Sequence, residues 1–355
     1  MATTQFGVNH PLAVKLYSKK LLREVLKDIY FSKFMGKGSD SLIQIFPETK
    51  KEAGDKVTYG LRMLLSGAGV SGDGTLEGNE EALSFYSDSI TIDQLRHAVR
   101  SDGKMTEQRV PYSMRDEARQ GLSDWFSDRA DVSMFNQLAG NTNVADTKYT
   151  GMQACTATDT SHHIFATNDG ESTMSASSVF SLNLIDRAVV KAGLLSPKIR
   201  PLKVNGESKY VVFIHPYQHY QLRNQTGTAQ YMDIQKAAMQ GGQITKNPIY
   251  TGAIAEYNGC VLHEATRVPW GSTSTTNGIG VASVGRAIFC GAQSGVVAVG
   301  QDTDTGLGAK WTEESFDYGN QLGVAGGLIF GLKKCVFNSM DFGTIVISSY
   351  SPDPG

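Results

Sequence analysis

Two alternating runs joined by a glycine-acid tip, leading into one long amphipathic segment, constrain this chain more than anything else in it. In 55–66, Val57, Tyr59, Leu61, Met63 and Leu65 alternate with Lys56, Thr58, Gly60 and Arg62. A period of two marks a strand with one apolar face. A second run, 83–99, follows the tip Gly67–Asn79, whose sizeable apolar residues are Val70 and Leu76. A two-stranded arm is marginal alone in water, so its apolar face needs a cover. Either the rest of this chain supplies it, or another copy does. The second run changes phase, with Leu83 and Phe85 odd and Ile90 and Ile92 even. A bulge or sharp twist near Tyr86–Ser89 is therefore expected.

Ser113 opens the longest helical pattern, with Asp116 three residues on as the acidic variant of a capping box. Met114, Ala118, Leu122, Trp125, Phe126, Val132, Phe135 and Leu138 form its apolar stripe, and Gly140 closes it. Such a rod, 113–139, is about 39 Å long at 1.5 Å per residue. A first helix is expected over Pro11–Met35, from Leu12, Leu16, Leu22, Val25, Leu26 and Ile29. With no domain before it, it reads as an arm docking on a neighbour or as a packed first helix. The polar stretch 141–178 reads as a boundary between lobes. Beyond it come a helix from Leu182 to Gly193, a strand Lys209–His215, short helices at 216–223 and 228–240, and a strand-rich end.

The balance of 33 Lys+Arg against 35 Asp+Glu gives a net charge of −2. No basic excess drives binding to nucleic acid or anionic membrane. Charged residues make up 19% and glycine 38 of 355 positions. Against averages of roughly 25% and 7%, that composition favours strands, turns and contacts over a compact helical enzyme. Cys155, Cys260, Cys290 and Cys335 form no C-x-x-C pair and sit among small or apolar neighbours, as buried free thiols do. Neither a secretory signal nor a membrane-length apolar run is visible, so folding in a reducing cytoplasm is expected.

Motif chemistry is weak. Gly67-Ala68-Gly69-Val70-Ser71-Gly72 matches a dinucleotide fingerprint but continues as Asp73-Gly74-Thr75-Leu76-Glu77-Gly78. That is turn chemistry with two carboxylates, where a phosphate site needs a helix N-terminus. His215 and His219 are four apart, yet Pro216 replaces the Glu of a zinc-protease helix. His215 is expected to cap a strand end, with His219 facing solvent; His162 and His163 read as surface histidines. The pairs Glu80-Glu81 and Glu313-Glu314 point to opposite strand faces and cannot converge. No catalytic residue, cofactor site or metal site is expected.

Several phrases carry a resemblance: Leu12-Ala13-Val14-Lys15-Leu16-Tyr17-Ser18-Lys19-Lys20, Gly54-Asp55-Lys56-Val57-Thr58-Tyr59-Gly60-Leu61-Arg62, Leu76-Glu77-Gly78-Asn79-Glu80-Glu81-Ala82-Leu83, Ile92-Asp93-Gln94-Leu95-Arg96-His97-Ala98-Val99-Arg100, and Gln108-Arg109-Val110-Pro111-Tyr112 leading into Asp124-Trp125. Together they resemble the N4-type major capsid family of tailed bacteriophages, densely over about residues 10–140. The resemblance implies an α+β, Hong Kong 97-like capsid fold. Its parts would be an N-terminal arm (1–50), an extended hairpin loop (51–100), a peripheral domain with spine helix 113–139 (101–180), an axial domain (181–280), and late strands returning to the peripheral domain (281–355). It further implies self-assembly into pentamers and hexamers of an icosahedral virion head, put together in the host cytoplasm, with no membrane. The DNA inside would be held without sequence specificity, and portal, scaffolding and possibly cement proteins would be partners. Inter-subunit contacts would come from Val57, Tyr59, Leu61, Met63, Leu65, Val70 and Leu76 of the loop and Leu12, Leu16, Leu22 and Val25 of the arm. An encapsulin-like compartment shell would share that fold but enclose protein cargo. A soluble metal-dependent hydrolase would need a filled site.

Overall fold

The computed structural model describes residues 20–21, 24–25, 27–49, 56–62, 65, 67–111, 113–167, 170–204, 206–225, 253–272, 276–300 and 309–355. Leu12, Leu16, Leu22, Met63 and the helix expected at 228–240 lie outside them.

Two sheets and one long helix organise the chain. The first sheet runs Met35–Gly36, Ile43–Thr49, Gly295–Gly300, Gln321–Lys334, Ala309–Phe316, with Asp93–Arg100 also paired to Gln321–Lys334. The second runs His163–Phe165, Thr344–Tyr350, Val284–Cys290, Glu207–Ile214, Cys260–Glu264, Ala253–Tyr257, with Leu202–Val204 paired to Glu207–Ile214. Its centre is the continuous apolar run Val211-Val212-Phe213-Ile214, fully buried, as a strand covered on both faces reads.

The late strands therefore part company. Gly295–Gly300 through Lys334 build the first sheet, but Val284–Cys290 and Thr344–Tyr350 pair with each other beside Glu207–Ile214 in the second. A common return of 281–355 to one domain is not what the pairing gives. Thr344–Tyr350 joins Val284–Cys290 antiparallel and His163–Phe165 in parallel, so the chain closes by inserting its last strand between two earlier ones.

The long helix spans Met114–Leu138, close to expectation. Ser113 holds the N-cap position but its side chain makes no capping bond; its carbonyl accepts from Asp116 and Glu117 N–H. The C-terminus ends in a Schellman motif, with Gly140 N donating to Gln137 O at 3.1 Å and Asn141 N to Asn136 O at 2.9 Å. Gly140 has φ 58°, and a Cβ there would meet Thr158 N at 2.7 Å, so both conformation and space require glycine. The second half of the helix is buried beyond its apolar stripe, including Ser133, Asn136 and Gln137. Asn136 donates to Tyr149 O and Thr276 O, and Gln137 to Thr150 O, so loop carbonyls satisfy what hydropathy could not place inside.

The first helix ends before Ile29 rather than at Met35. Ile29 is extended, and Tyr30–Phe34 is a 3-10 turn leading into Met35–Gly36. Asp131 of the long helix accepts Tyr30 N–H at 3.0 Å, replacing a bond within the first helix. Phe31 then meets Phe135 at 4.6 Å and Phe213 at 5.3 Å, and Phe34 meets Phe213 at 5.4 Å. This ring cluster ties the N-terminal segment, the long helix and the second sheet into one core.

The extended arm and the candidate assembly surface

Lys56–Arg62 and Phe85–Thr91 pair antiparallel in unbroken register, from Lys56 opposite Thr91 to Arg62 opposite Phe85. No bulge lies at Tyr86–Ser89. The phase change is resolved one residue past Thr91, where the second run leaves the arm and Asp93–Arg100 joins the first sheet. Tyr86 and Ile90 turn inward, while Phe85 is 66% and Leu83 is 53% exposed.

The arm's cover is divided. At its root, Val57, Tyr59 and Leu61 are half-buried against a satellite core of Ile90, Val296, Ala298, Cys335, Phe337 and Phe342. Their own chain supplies part of their cover. Farther out, Leu65 is 62%, Val70 38% and Leu76 63% exposed. With Leu83 and Phe85 they leave five large apolar residues in water along one projection. Scattered exposed apolar residues are ordinary, but a run on one arm marks a contact surface.

Asp88 anchors the root. Its carboxylate accepts from Tyr59 Oη at 2.7 Å, from Val336 N at 3.3 Å and from Lys333 Nζ, which also donates to Ser89 O at 3.0 Å. Burial first, then the neighbouring Cys335 and Asp88, holds the Tyr59 hydroxyl protonated well above its ordinary range. The Tyr59 ring meets Phe337 edge-on at 5.7 Å and Phe46 at 5.8 Å. Gly331 makes the close passage possible, since a Cβ there would sit 2.1 Å from Thr91 O. None of the residues 331, 333 and 336 neighbours the arm in sequence, so this anchor was not legible beforehand.

Glu80 and Glu81 lie before the strand Phe85–Thr91 rather than on it, and each satisfies tip backbone. Glu81 accepts from Gly67 N and Glu80 from Gly78 N, both at 2.7 Å. The fingerprint-like glycines thus form a hairpin tip, with Gly69, Gly72 and Gly78 at positive φ.

Val25 is buried with Leu21 and Ile29 in the main core of its own chain. That overturns Val25 as a free docking residue.

Three of the four histidines His162, His163, His215 and His219 sit otherwise than expected. His215 does cap: Tyr217 N donates to its Nδ1 at 3.3 Å while Gln218 Oε1 accepts His215 N–H. It also stacks on Trp270. His219 is not solvated but meets Glu264 at 2.6 Å. His162 is buried beside Ser161 and Asp159. His163 lies 2.7 Å from Ser348 Oγ and 3.6 Å from Glu171. Burial pushes His163 down to about 4. Glu171 forms a forked pair with Arg286 at 2.7 and 2.8 Å, and Arg286 also donates to Gly140 O at the end of the long helix. These histidines are structural joints of the second sheet. Among the described residues, no group of three or more His, Cys, Asp or Glu could hold a metal ion. All four cysteines are free, and burial pushes their thiols up to about 12. Among the described residues, no helix is long and apolar enough to cross a membrane.

An arm with a rigid root and a bare apolar end, on a two-sheet body spanned by one long helix, is built to engage something outside itself. The model of the phage capsid protein family matches residues 5–353. The chain belongs to the phage capsid protein family. Among its relatives is the major capsid protein of Pseudomonas phage KPP25, 28% identical over 369 residues and 93% of each chain. The capsid of Ralstonia phage GP4 is similar at TM-score 0.78 and 34% identity over 92% of each chain. The capsid of cyanophage Pam1 shares the fold at TM-score 0.70 and 19% identity, over 91% of this chain and 92% of that one. The fold is the Hong Kong 97-like capsid fold, α+β as expected.

Proposed function

We propose that this chain is the major capsid protein that closes, as pentamers and hexamers, into an icosahedral phage head around double-stranded DNA. The observation that carries the reading is the arm: anchored on its own chain at Asp88 and bare at Leu65, Val70, Leu76, Leu83 and Phe85. Burying one such side chain contributes roughly 1.5–3 kcal/mol. Repeated once per subunit over a closed symmetry, contacts of that size sum to a stable shell. Leu12, Leu16 and Leu22 are proposed to add contacts from the N-terminal arm. The segment 181–280 is proposed as the core of an axial domain at the five- and six-fold centres. The near-neutral charge suits a wall lying against packed DNA without adhering to it. Portal and scaffolding proteins, and possibly cement proteins, are the proposed partners in the host cytoplasm. The role is structural, without catalysis, cofactor or metal.

The test is to purify particles from infected cells by sedimentation and view them by electron microscopy. The chain is expected as the bulk protein of the heavy, DNA-filled fraction. Its absence there overturns the reading, and particles filled with protein cargo would favour a compartment shell.

A further inference from the structure

The hairpin between Ala309–Phe316 and Gln321–Lys334 turns at Asp317–Asn320, far along the sequence from the extended arm. Asp317, Tyr318 and Gly319 have φ of 51°, 52° and 87°. Two successive side-chain-bearing residues in the left-handed region are sterically unfavourable, and such strain persists only where surrounding structure enforces it. Here it is enforced. Asn320 N donates to Asp317 O at 2.9 Å, and Asn320 Nδ2 to Asp317 Oδ2 at 3.3 Å. Lys104 N donates to Asn320 Oδ1 at 3.3 Å, which fastens the turn to the helix Lys104–Arg109. The Arg100 guanidinium covers Phe316 at 4.2 Å. The turn holds Tyr318 fully exposed, the most exposed of the large hydrophobic residues on the described surface. An aromatic residue presented rigidly in water loses little conformational entropy when it is buried, which is the property of an interface anchor.

A groove of about 400 Å³ opens beside the same turn, with Gly319 in its wall. Met114 and Leu322 give it apolar lining, while Lys104, Glu107, Arg115 and Gln321 give it polar lining. Arg115 is paired with Glu313 at 2.7 Å and Lys104 with Glu107 at 3.6 Å. Two apolar side chains in an otherwise polar wall, with a guanidinium and a carboxylate, suit an amphipathic phenol: ring on the methionine and leucine, cation near the ring face, hydroxyl on the carboxylate. Tyr318 is turned out to solvent and does not fill the groove of its own chain. Knob and groove share one corner of the molecule, Gly319 lining the groove beside the exposed Tyr318, so a copy packed against that corner can meet both.

We infer that Tyr318 of one copy seats in the groove of the next copy, between Met114, Arg115 and Glu107, as a second inter-subunit contact independent of the extended arm. This rests on the shell reading, because in a shell the neighbour of an exposed corner is another copy of the same chain.

The experiment places a benzophenone-bearing phenylalanine analogue at position 318 of the full chain. Particles are co-assembled from isotopically heavy and light subunits, irradiated, digested and mapped by mass spectrometry. Heavy-to-light cross-links from 318 to peptides containing 104–115 or 321–322 are expected. Cross-links from assembled particles that fall only elsewhere, or only within one chain, overturn the inference while leaving the shell reading intact. The same analogue at Met114 reads the contact from the groove side, with Tyr318 peptides as the expected product. In parallel, Tyr318→Ala should lower particle yield about tenfold or more with the melting temperature of the free subunit unchanged, and Tyr318→Phe should recover most of it. Wild-type yield from Tyr318→Ala overturns the inference. No particles from the unmodified chain would instead sink the shell reading itself.

Discussion

Asp88 shows how one carboxylate sets the direction of a long projection. It accepts a phenol, an amide and an ammonium from three separate segments, with little water access on either side of the Lys333 pair. Removing one member of such a pair strands the other in a buried site. Asp88→Ala is therefore expected to lower unfolding free energy by about 3–5 kcal/mol, measured by urea denaturation, whereas an exposed surface pair would give under about 1 kcal/mol. His163 gives a second residue-level test. Burial lowers it to about 4, with Glu171 opposing and Arg286, Lys191 and Lys334 reinforcing the shift. The unfolded chain, with an ordinary value near 6.5, binds that proton first, so stability is complete above about pH 6.5 and is lost as pH falls toward 4. Between pH 7 and 5 this one group removes about 2 kcal/mol. His163→Asn should flatten that part of the stability-pH curve, and an unchanged slope would assign the pH dependence to other groups.

At the scale of elements, the arm behaves as two pieces. Leu61 is half-buried in the satellite core, while Leu83 and Phe85 are exposed. Leu61→Asp should destabilise the free subunit by about 1–3 kcal/mol before any effect on assembly. Phe85→Asp with Leu83→Asp should leave the subunit's melting temperature within a degree or two of the parent's and abolish particles. The reverse pattern in thermal scans and particle counts would mean that root and end have been misassigned. The tip Gly67–Asn79 makes its bonds locally, through Glu80 and Glu81. Limited proteolysis should cut there in free subunits and not in particles, because backbone entropy opposes a fixed shape until a neighbour orders it. The strand Gln321–Lys334 is the counterpart in the body. Gly326 lets Leu21, Leu122 and Phe126 approach to within about 3.5 Å of where a Cβ would stand. Its glycines serve close packing of helix on sheet, where β-propensity alone would not place a strand.

The whole molecule closes late. Thr344–Tyr350 is buried along nearly its full length between partners some 60 and 180 residues earlier in the chain. Ending the chain at Gly343 should leave Val284–Cys290 and His163–Phe165 with open edges and their apolar faces uncovered. The expected outcome is insoluble protein, or soluble protein without a cooperative thermal transition. A truncated chain that still melts cooperatively near the parent's temperature would show that the second sheet does not need its last strand.

Local pattern determined the arm, the long helix, its Gly140 stop and most strand positions, because a period of two or of 3.6 and a left-handed cap are written in neighbouring residues. Linked phrases such as those within 54–62 and 76–83 carried the resemblance to the family whose model matches residues 5–353. Partners distant in sequence were decided only by the tertiary structure. Whether Val57 and Tyr59 were covered by their own chain depended on Cys335 and Phe337. Whether His163 was wet depended on Glu171 and Ser348. The split of the late strands between two sheets depended on which edge each one met first. An apolar alternation states that a face must be covered. It carries no information about which surface does the covering, because burial is proportional to area and indifferent to where along the chain that area comes from.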